Sequence, residues 1–110
     1  MASTFKTIGS ASIGAAPVTI YTVPGATTTI VQSLTLANVT GAAITVDIVW
    51  RDSSAAADYY ICKTCPIPAG GAVVPIGDNN KKNLETGDLI KITSSAATSI
   101  DASLDYLELT

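Results

Sequence analysis

The chain has 110 residues, of which 14% are charged, and a formal net charge of −3. This length supports one hydrophobic core rather than two. So few charges suggest a surface partly covered by neighbours, unless serine and threonine provide the solvation instead. The six Lys and Arg residues are scattered apart from Lys81 and Lys82, so we expect no nucleic-acid partner, which would need a clustered basic face.

No apolar run approaches the ~20 residues that a membrane span requires, so no membrane partner is expected. The N-terminus has no apolar stretch typical of a secretory signal. We therefore expect a protein that is made, and stays, in a reducing cytoplasm.

The first 16 residues are rich in Ser, Ala and Gly, with Phe5, Ile8 and Ile13 as isolated large apolar side chains. Such a segment has too little apolar content to fold alone. Residues 1–16 are therefore predicted to form an arm, flexible or ordered by a partner, ahead of a domain over residues 17–110. An added edge strand is the alternative.

Short segments with period-two alternation follow, separated by proline and glycine turns. Strands are predicted at residues 18–23, 27–38, 44–51, 59–64 and 72–76, with the second of them central. The segment 66–71 contains two prolines, which excludes a central strand there. A polar loop is predicted at residues 77–82.

Residues 84–93 and 99–106 alternate in the same way, and the short polar segment between them favours an antiparallel hairpin. Its inward residues would be Ile90, Ile92, Ile100, Ala102 and Leu104. Turn signals every 8 to 12 residues are typical of sandwiches. The fold class is therefore predicted as all-β, a single antiparallel β-sandwich (jelly-roll or Ig-like) of seven to eight short strands.

Cys62 and Cys65 have the CxxC spacing of some metal and redox sites. A structural zinc site needs four ligands, and the chain has no histidine and no other cysteine. Redox-active cysteine pairs normally lie at the N-terminus of a helix, whereas this pair lies at the end of a predicted strand, beside Pro66. We expect free structural thiols, with a local disulfide and an intersubunit metal site as alternatives.

Nothing in the sequence predicts catalysis. A serine nucleophile would lack its histidine, and no phosphate-binding glycine motif occurs. Asp101 and Asp105 occupy outward positions of a predicted strand, where carboxylates usually serve solvation and edge protection. The chain is therefore expected to have no catalytic residue, no cofactor and no metal, and not to be an enzyme.

The candidate interface residues are large apolar or aromatic side chains of the predicted arm, of strand 59–64 and of the C-terminal strand. Adjacent strand residues point opposite ways, so one of Tyr59 and Tyr60 should face outward while the other can be core. The C-terminal strand has apolar residues on both faces, which favours either a neighbouring subunit or a local bulge. The predicted interface residues are Phe5, Ile8, Ile13, Tyr60, Leu107 and Leu109.

The order of these segments resembles that of small virion structural proteins of tailed bacteriophages, especially those of aquatic and cyanobacterial hosts. The likeness covers nearly the whole chain after about residue 17. It rests on Ile20-Tyr21-Thr22-Val23-Pro24-Gly25, Leu34-Thr35-Leu36-Ala37-Asn38, Ile44-Thr45-Val46-Asp47, Pro66-Ile67-Pro68-Ala69-Gly70-Gly71, Leu84-Glu85-Thr86-Gly87-Asp88 and Leu104-Asp105-Tyr106-Leu107-Glu108-Leu109. The CxxC pair is not part of that pattern.

The resemblance implies an oligomeric β-sandwich accessory subunit located in the virion and assembled in the host cytoplasm. The leading hypothesis is a capsid decoration (cement) protein that bridges capsomers, with the major capsid protein or other virion proteins as partners and a homo-oligomer, a trimer favoured. A neck, tail or baseplate adaptor is the alternative. A carbohydrate- or host-surface-binding module, with Trp50 and the tyrosines as stacking platforms, is a third.

Overall fold

The computed structural model describes residues 2–77 and 81–110. These residues form β-strands and turns, with no helix among them. The strands are β1 (Ser3–Ile13), β2 (Val18–Thr22), β3 (Thr28–Asn38), β4 (Ile44–Asp52), β5 (Ala57–Ile67), β6 (Ala72–Ile76), β7 (Lys82–Leu84), β8 (Leu89–Ser94) and β9 (Ile100–Leu109). Residues 78–80, within the predicted polar loop, lie outside the described part of the chain.

The strands form two antiparallel sheets. In sheet A the order is β1-β9-β3-β6, with β7 also pairing with β3, and in sheet B it is β2-β8-β4-β5. The chain passes from one sheet to the other at each connection except β4–β5 and β6–β7, which is the winding of a jelly roll. The predicted antiparallel sandwich is confirmed, and β1 and β7 raise the number of strands to nine over residues 2–77 and 81–110.

The core lies between the inner faces of the two sheets. In β9 every second residue from Ile100 to Glu108 is buried, because the pleat turns alternate side chains toward the other sheet. Apolar side chains less than 2% exposed come from strands of both sheets: Ile13, Val31, Leu34, Leu36, Val46, Ile48, Ile67, Ile76, Leu84, Ile90, Ile92, Ile100 and Leu104. Each contributes roughly 1.5–3 kcal/mol by leaving water.

The predicted closing hairpin is wrong, because β8 and β9 lie in different sheets. β8 pairs with β2 and β4, whereas β9 pairs with β1 and β3. The loop between them crosses the end of the sandwich, where the hydroxyls of Ser94 and Ser99 hydrogen-bond to each other. Two apolar strand faces satisfy the same period-two pattern whether they lie side by side or face each other across the core, so alternation alone does not identify the partner strand.

Two of the edge strands, β1 and β5, have unusual sequences. β5 includes Pro66 and is the outer strand of sheet B, a position where the missing N–H of proline is tolerated. β1, within the predicted arm, pairs with β9 from Ser3 to Ile13, which is the edge-strand alternative. Ordering of residues 1–16 by a partner stays a prediction.

Candidate functional site

Three apolar side chains line up across the outer face of sheet A. Phe5 of β1 lies opposite Leu107 of β9, which in turn lies opposite Ile30 of β3. Residues paired in this way share one face of the sheet, with Cβ atoms about 4.5–5.5 Å apart. Phe5 is 72% exposed, and the other two are half-buried. We call these three residues the outer apolar row.

The row exists because the end of β9 keeps its alternation. Tyr106 and Glu108 point inward and are buried, so Leu107 and Leu109 point outward. The pairing of β9 with β1 shows no irregularity from Ser3 to Ser10, and the one register shift against β3 falls between Val31 and Ser33. The local-bulge alternative for the end of β9 is therefore wrong.

A polar row lies directly beside the apolar one. The carboxylate of Asp105 accepts a hydrogen bond from the Thr7 hydroxyl on one side and from the Ser33 hydroxyl, at 3.0 Å, on the other. These three side chains lie on the same three strands as the outer apolar row, two residues earlier along β9. The face thus combines an apolar strip with a hydrogen-bonded polar margin, the arrangement typical of protein interfaces.

The inner side of the same strand end contains a buried carboxylate. Glu108 is 7% exposed, and its Oε1 lies 2.7 Å from the Nζ of Lys6 in β1. Its Oε2 accepts a hydrogen bond of 2.6 Å from the Tyr21 hydroxyl, which is also bonded to Thr29. The bonds from Lys6 and Tyr21 hold the pKa of Glu108 below its ordinary value, against a smaller opposing effect of burial.

The other predicted interface residues lie elsewhere. Ile13 is 1% exposed within the core of its own chain. Ile8, 39% exposed, lies opposite Leu104 on the inner side of β1. Tyr60, 57% exposed, belongs to β5 of sheet B. Only Phe5, Leu107 and Leu109 of the predicted set therefore share one face.

A shallow groove crosses the outer face of sheet B. It has a volume of about 210 Å³ and is lined mainly by Tyr60, Asp47, Asp58, Lys91 and Thr93. Asp58 lies within ion-pair distance of Lys91, at 3.9 Å, so the charged groups of the groove partly neutralise each other. Tyr60 is the aromatic side chain in this lining.

The structure does not leave Trp50 free as a stacking platform. The ring of Tyr59 stacks on it at 5.2 Å, and the Nζ of Lys82 lies 3.6 Å from its centroid. Tyr59 itself is 49% exposed and Tyr60 57%. Neither tyrosine is a core residue, although the sequence allowed one of them to be. The Nζ of Lys63 lies 4.9 Å from the centroid of the Tyr60 ring, so each aromatic ring of the carbohydrate hypothesis has a partner within the chain.

Asp88 is a buried structural residue whose importance the sequence did not reveal. It is 1% exposed and accepts hydrogen bonds from the backbone N–H groups of Ser53 and Glu85, at 3.0 and 2.9 Å, and from the Trp50 indole, at 3.3 Å. Burial raises the pKa of Asp88, but these bonds together outweigh it and lower the pKa below its ordinary value. The alternation placed Asp88 inside one continuous segment, residues 84–93, whereas β7 ends at Leu84 and β8 begins at Leu89, and nothing in that pattern indicated the distant donors.

Cys62 and Cys65 form a disulfide, with Cα atoms 6.0 Å apart, a normal separation for a disulfide. The expectation of free thiols is corrected. Between Cys62 and Cys65 β5 has one residue more than β4 has between their partners, Ile48 and Val46. This bulge turns both cysteines toward the same side, which an unbroken strand cannot do for residues three apart.

Among the residues that the structure describes, no three His, Cys, Asp or Glu side chains converge as metal ligands would. The described residues also include no helix long and apolar enough to cross a membrane.

No protein-family model matches the chain, and neither does any curated protein. Among solved structures, the chain is similar to one described as "Bacillus endospore appendages form a novel family of disulfide-linked pili", with a TM-score of 0.59 and 15% identity over 99% of this chain and 87% of that one. It is also similar to the virus-like particle of giant freshwater prawn Macrobrachium rosenbergii extra small virus, with a TM-score of 0.44 and 14% identity over 98% of this chain and 80% of that chain. The third is infectious bursal disease virus Gt strain, with a TM-score of 0.46 and 9% identity over 96% and 32%. The first likeness shows a shared fold. The two viral structures have TM-scores below 0.5 and support no conclusion about this chain.

Proposed function

We propose that this chain is a non-enzymatic structural subunit of a virion, and specifically a capsid decoration protein that bridges capsomers. The observation that carries the proposal is the outer apolar row, Phe5, Leu107 and Ile30, which crosses three strands and is left partly uncovered by the chain itself. A flat sheet face of this kind is suited to a protein partner. The jelly-roll winding is common among capsid proteins, although the fold alone does not determine the function.

The expected mechanism is burial of the row against the shell. Covering apolar surface contributes about 25 cal/mol per Å², from which the costs of association are subtracted. The hydrogen-bonded Thr7, Asp105 and Ser33 beside the row would orient the contact. The partners would be the major capsid protein or other virion proteins, and the chain itself would form a homo-oligomer, with a trimer favoured.

Two measurements test the proposal. Mass spectrometry of virions from the source that encodes the chain should detect it in many copies, and a count of only a few per particle would instead indicate a neck, tail or baseplate adaptor. Its absence from those virions would overturn the proposal.

The second measurement is binding of the purified chain to shells that lack it. Leu107→Thr and Phe5→Thr, which keep the β propensity of their strands, should each weaken binding at least tenfold, since a loss of 1.4 kcal/mol in binding free energy is tenfold in Kd. Val74→Thr is the matched control, because Val74 is an exposed apolar residue of β6 outside the row, 58% exposed. Equal binding by all three variants would show that the outer apolar row is not the contact surface.

A second candidate is a subunit of a filament. It is favoured by the fold shared with the disulfide-linked pilus protein, which extends over 99% of this chain. Electron microscopy of the concentrated chain distinguishes the two functions, since a filament subunit forms fibres without a shell and a decoration protein does not.

A further inference from the structure

β1 is a strand that contributes almost nothing to the core. Of its eleven residues, nine are exposed, Ser10 is half-buried and only Ile13 is buried. An edge strand of a sandwich normally covers the core with one of its faces. Here the inner side of β1, with Thr4, Lys6 and Ile8, stays exposed.

β1 is held in place by contacts with β9 and with the core, and every copy of the chain offers the same contacts. β1 forms a ladder along β9, which Ala2 and Thr110 extend with two backbone hydrogen bonds of 2.9 Å. Lys6 neutralises the buried Glu108 at 2.7 Å. Another copy of the chain can offer the same β9, the same carboxylate and the same core position for Ile13.

The connection from β1 to β2 is short and mostly exposed, with only its first residue, Gly14, half-buried and bonded through its carbonyl to the backbone N–H of Ser94. It consists of residues 14–17, of which Ala15, Ala16 and Pro17 are exposed. Ala16 precedes a proline, which favours an extended backbone. Just before the connection, Ser12 has a φ of 59°, a left-handed conformation that is unfavourable for serine. Short connections of this kind promote exchange of a strand between copies.

We infer that β1 is exchanged between copies of this chain, so that β1 of one copy pairs with β9 of the next when the subunits assemble. A second copy is the partner because removal of β1 leaves Glu108 without its ammonium group and leaves β9 with one unpaired edge. A strand that carries Lys6 and Ile13 in this register satisfies both requirements. The inference deepens the proposed structural role, on which it rests for the presence of neighbouring copies.

Cross-strand cysteines test the exchange. In a Cys62→Ser, Cys65→Ser background, Thr7→Cys and Asp105→Cys place two thiols at paired positions of β1 and β9. After oxidation of the concentrated, oligomeric chain, most linked protein should run as covalent dimers or longer ladders on a denaturing gel without reductant. Linked monomers alone, or the absence of any oligomer, would overturn the inference.

The control pair is Thr35→Cys with Ser103→Cys, which joins β3 and β9 at another register position of the outer face. These two strands stay in one copy, so this pair should give linked monomers only. Insertion of a flexible Gly-Ser segment after Ala15 should move the Thr7–Asp105 links from dimers to monomers, because a longer connection relieves the strain that favours exchange over pairing within one chain.

If the serine background does not fold, the same pair is placed in the chain with its native disulfide. Equal amounts of ¹⁵N-labelled and unlabelled chain are then assembled together, and the linked peptides are identified by mass spectrometry. Mixed-label peptides support exchange, and unmixed ones contradict it. Binding to shells through the outer apolar row is measured separately, so a failure of exchange is distinguishable from a failure of the proposed function.

Discussion

The Nζ of Lys6, on an exposed edge strand, lies 2.7 Å from the Oε1 of Glu108, on the inner side of the neighbouring strand. The carboxylate is buried and also accepts the Tyr21 hydroxyl. A buried charge is tolerated only when it is paired and hydrogen-bonded. The stability of this end of the sandwich therefore depends on the pairing of β1 with β9.

Glu108→Gln should lower the free energy of unfolding by about 1–2 kcal/mol, because a bond to a charged group contributes about 1.5–3 kcal/mol and the neutral amide keeps part of it. Guanidinium denaturation measures this. Glu85→Gln is the matched control, because the Glu85 side chain is exposed. The contribution assigned to Glu108 is refuted if the two variants have the same midpoint.

The same carboxylate should make stability depend on acid pH. Its pKa is lower in the folded chain than in the unfolded chain because of the bonds from Lys6 and Tyr21. The stabilisation is therefore fully present above the unfolded pKa, about 4.3 for glutamate, and is lost as pH falls through the lower folded value. Unfolding midpoints between neutral and acid pH should fall less steeply in Glu108→Gln than in the wild type. Parallel curves for the two proteins would contradict this. Both should keep some dependence of stability on pH, since the pKa of Asp88 is also lowered.

The disulfide should stabilise the bulge of β5. Cys62 and Cys65 close a loop with a sequence separation of 3, for which the chain-entropy relation gives about 2 kcal/mol. Cys62→Ala with Cys65→Ala should reduce the free energy of unfolding by that amount. Reductant should lower the wild-type midpoint to that of the variant and leave the variant unchanged. Two reactive thiols in the native, oxidant-treated wild type would contradict the pairing.

The alternation of apolar residues was enough to predict the sandwich, the central position of β3 and the outward direction of Asp101 and Asp105, because period two reports which face a residue takes. It did not predict the partners of β8 and β9, because hydrogen-bonded and facing strands have the same pattern. The sequence predicts an arm at residues 1–16 because the inner side of β1 carries Thr4, Lys6 and Ile8, where most strands carry core residues.

The residues of the candidate site were likewise only partly predictable from the sequence. Phe5, Leu107 and Leu109 were predictable as uncovered apolar side chains, but their common face depended on the register of β1 and β9. Ile30 was missed because it looked like one β-branched residue among many in β3. The role of Asp88 could not be predicted, since its donor Ser53 lies 35 residues away in the sequence.

Asp88→Asn should be the most destabilising of these variants, by about 2–4 kcal/mol, because an amide nitrogen would face a backbone N–H or the indole N–H and leave buried donors without an acceptor. Trp50 donates to the carboxylate at 3.3 Å, so its fluorescence should change in the folded state as well as on unfolding. Glu85→Gln, three residues away and exposed, should change neither the midpoint nor the native spectrum. If Asp88→Asn keeps the wild-type midpoint, Asp88 does not hold the β4–β5 turn to the loop before β8.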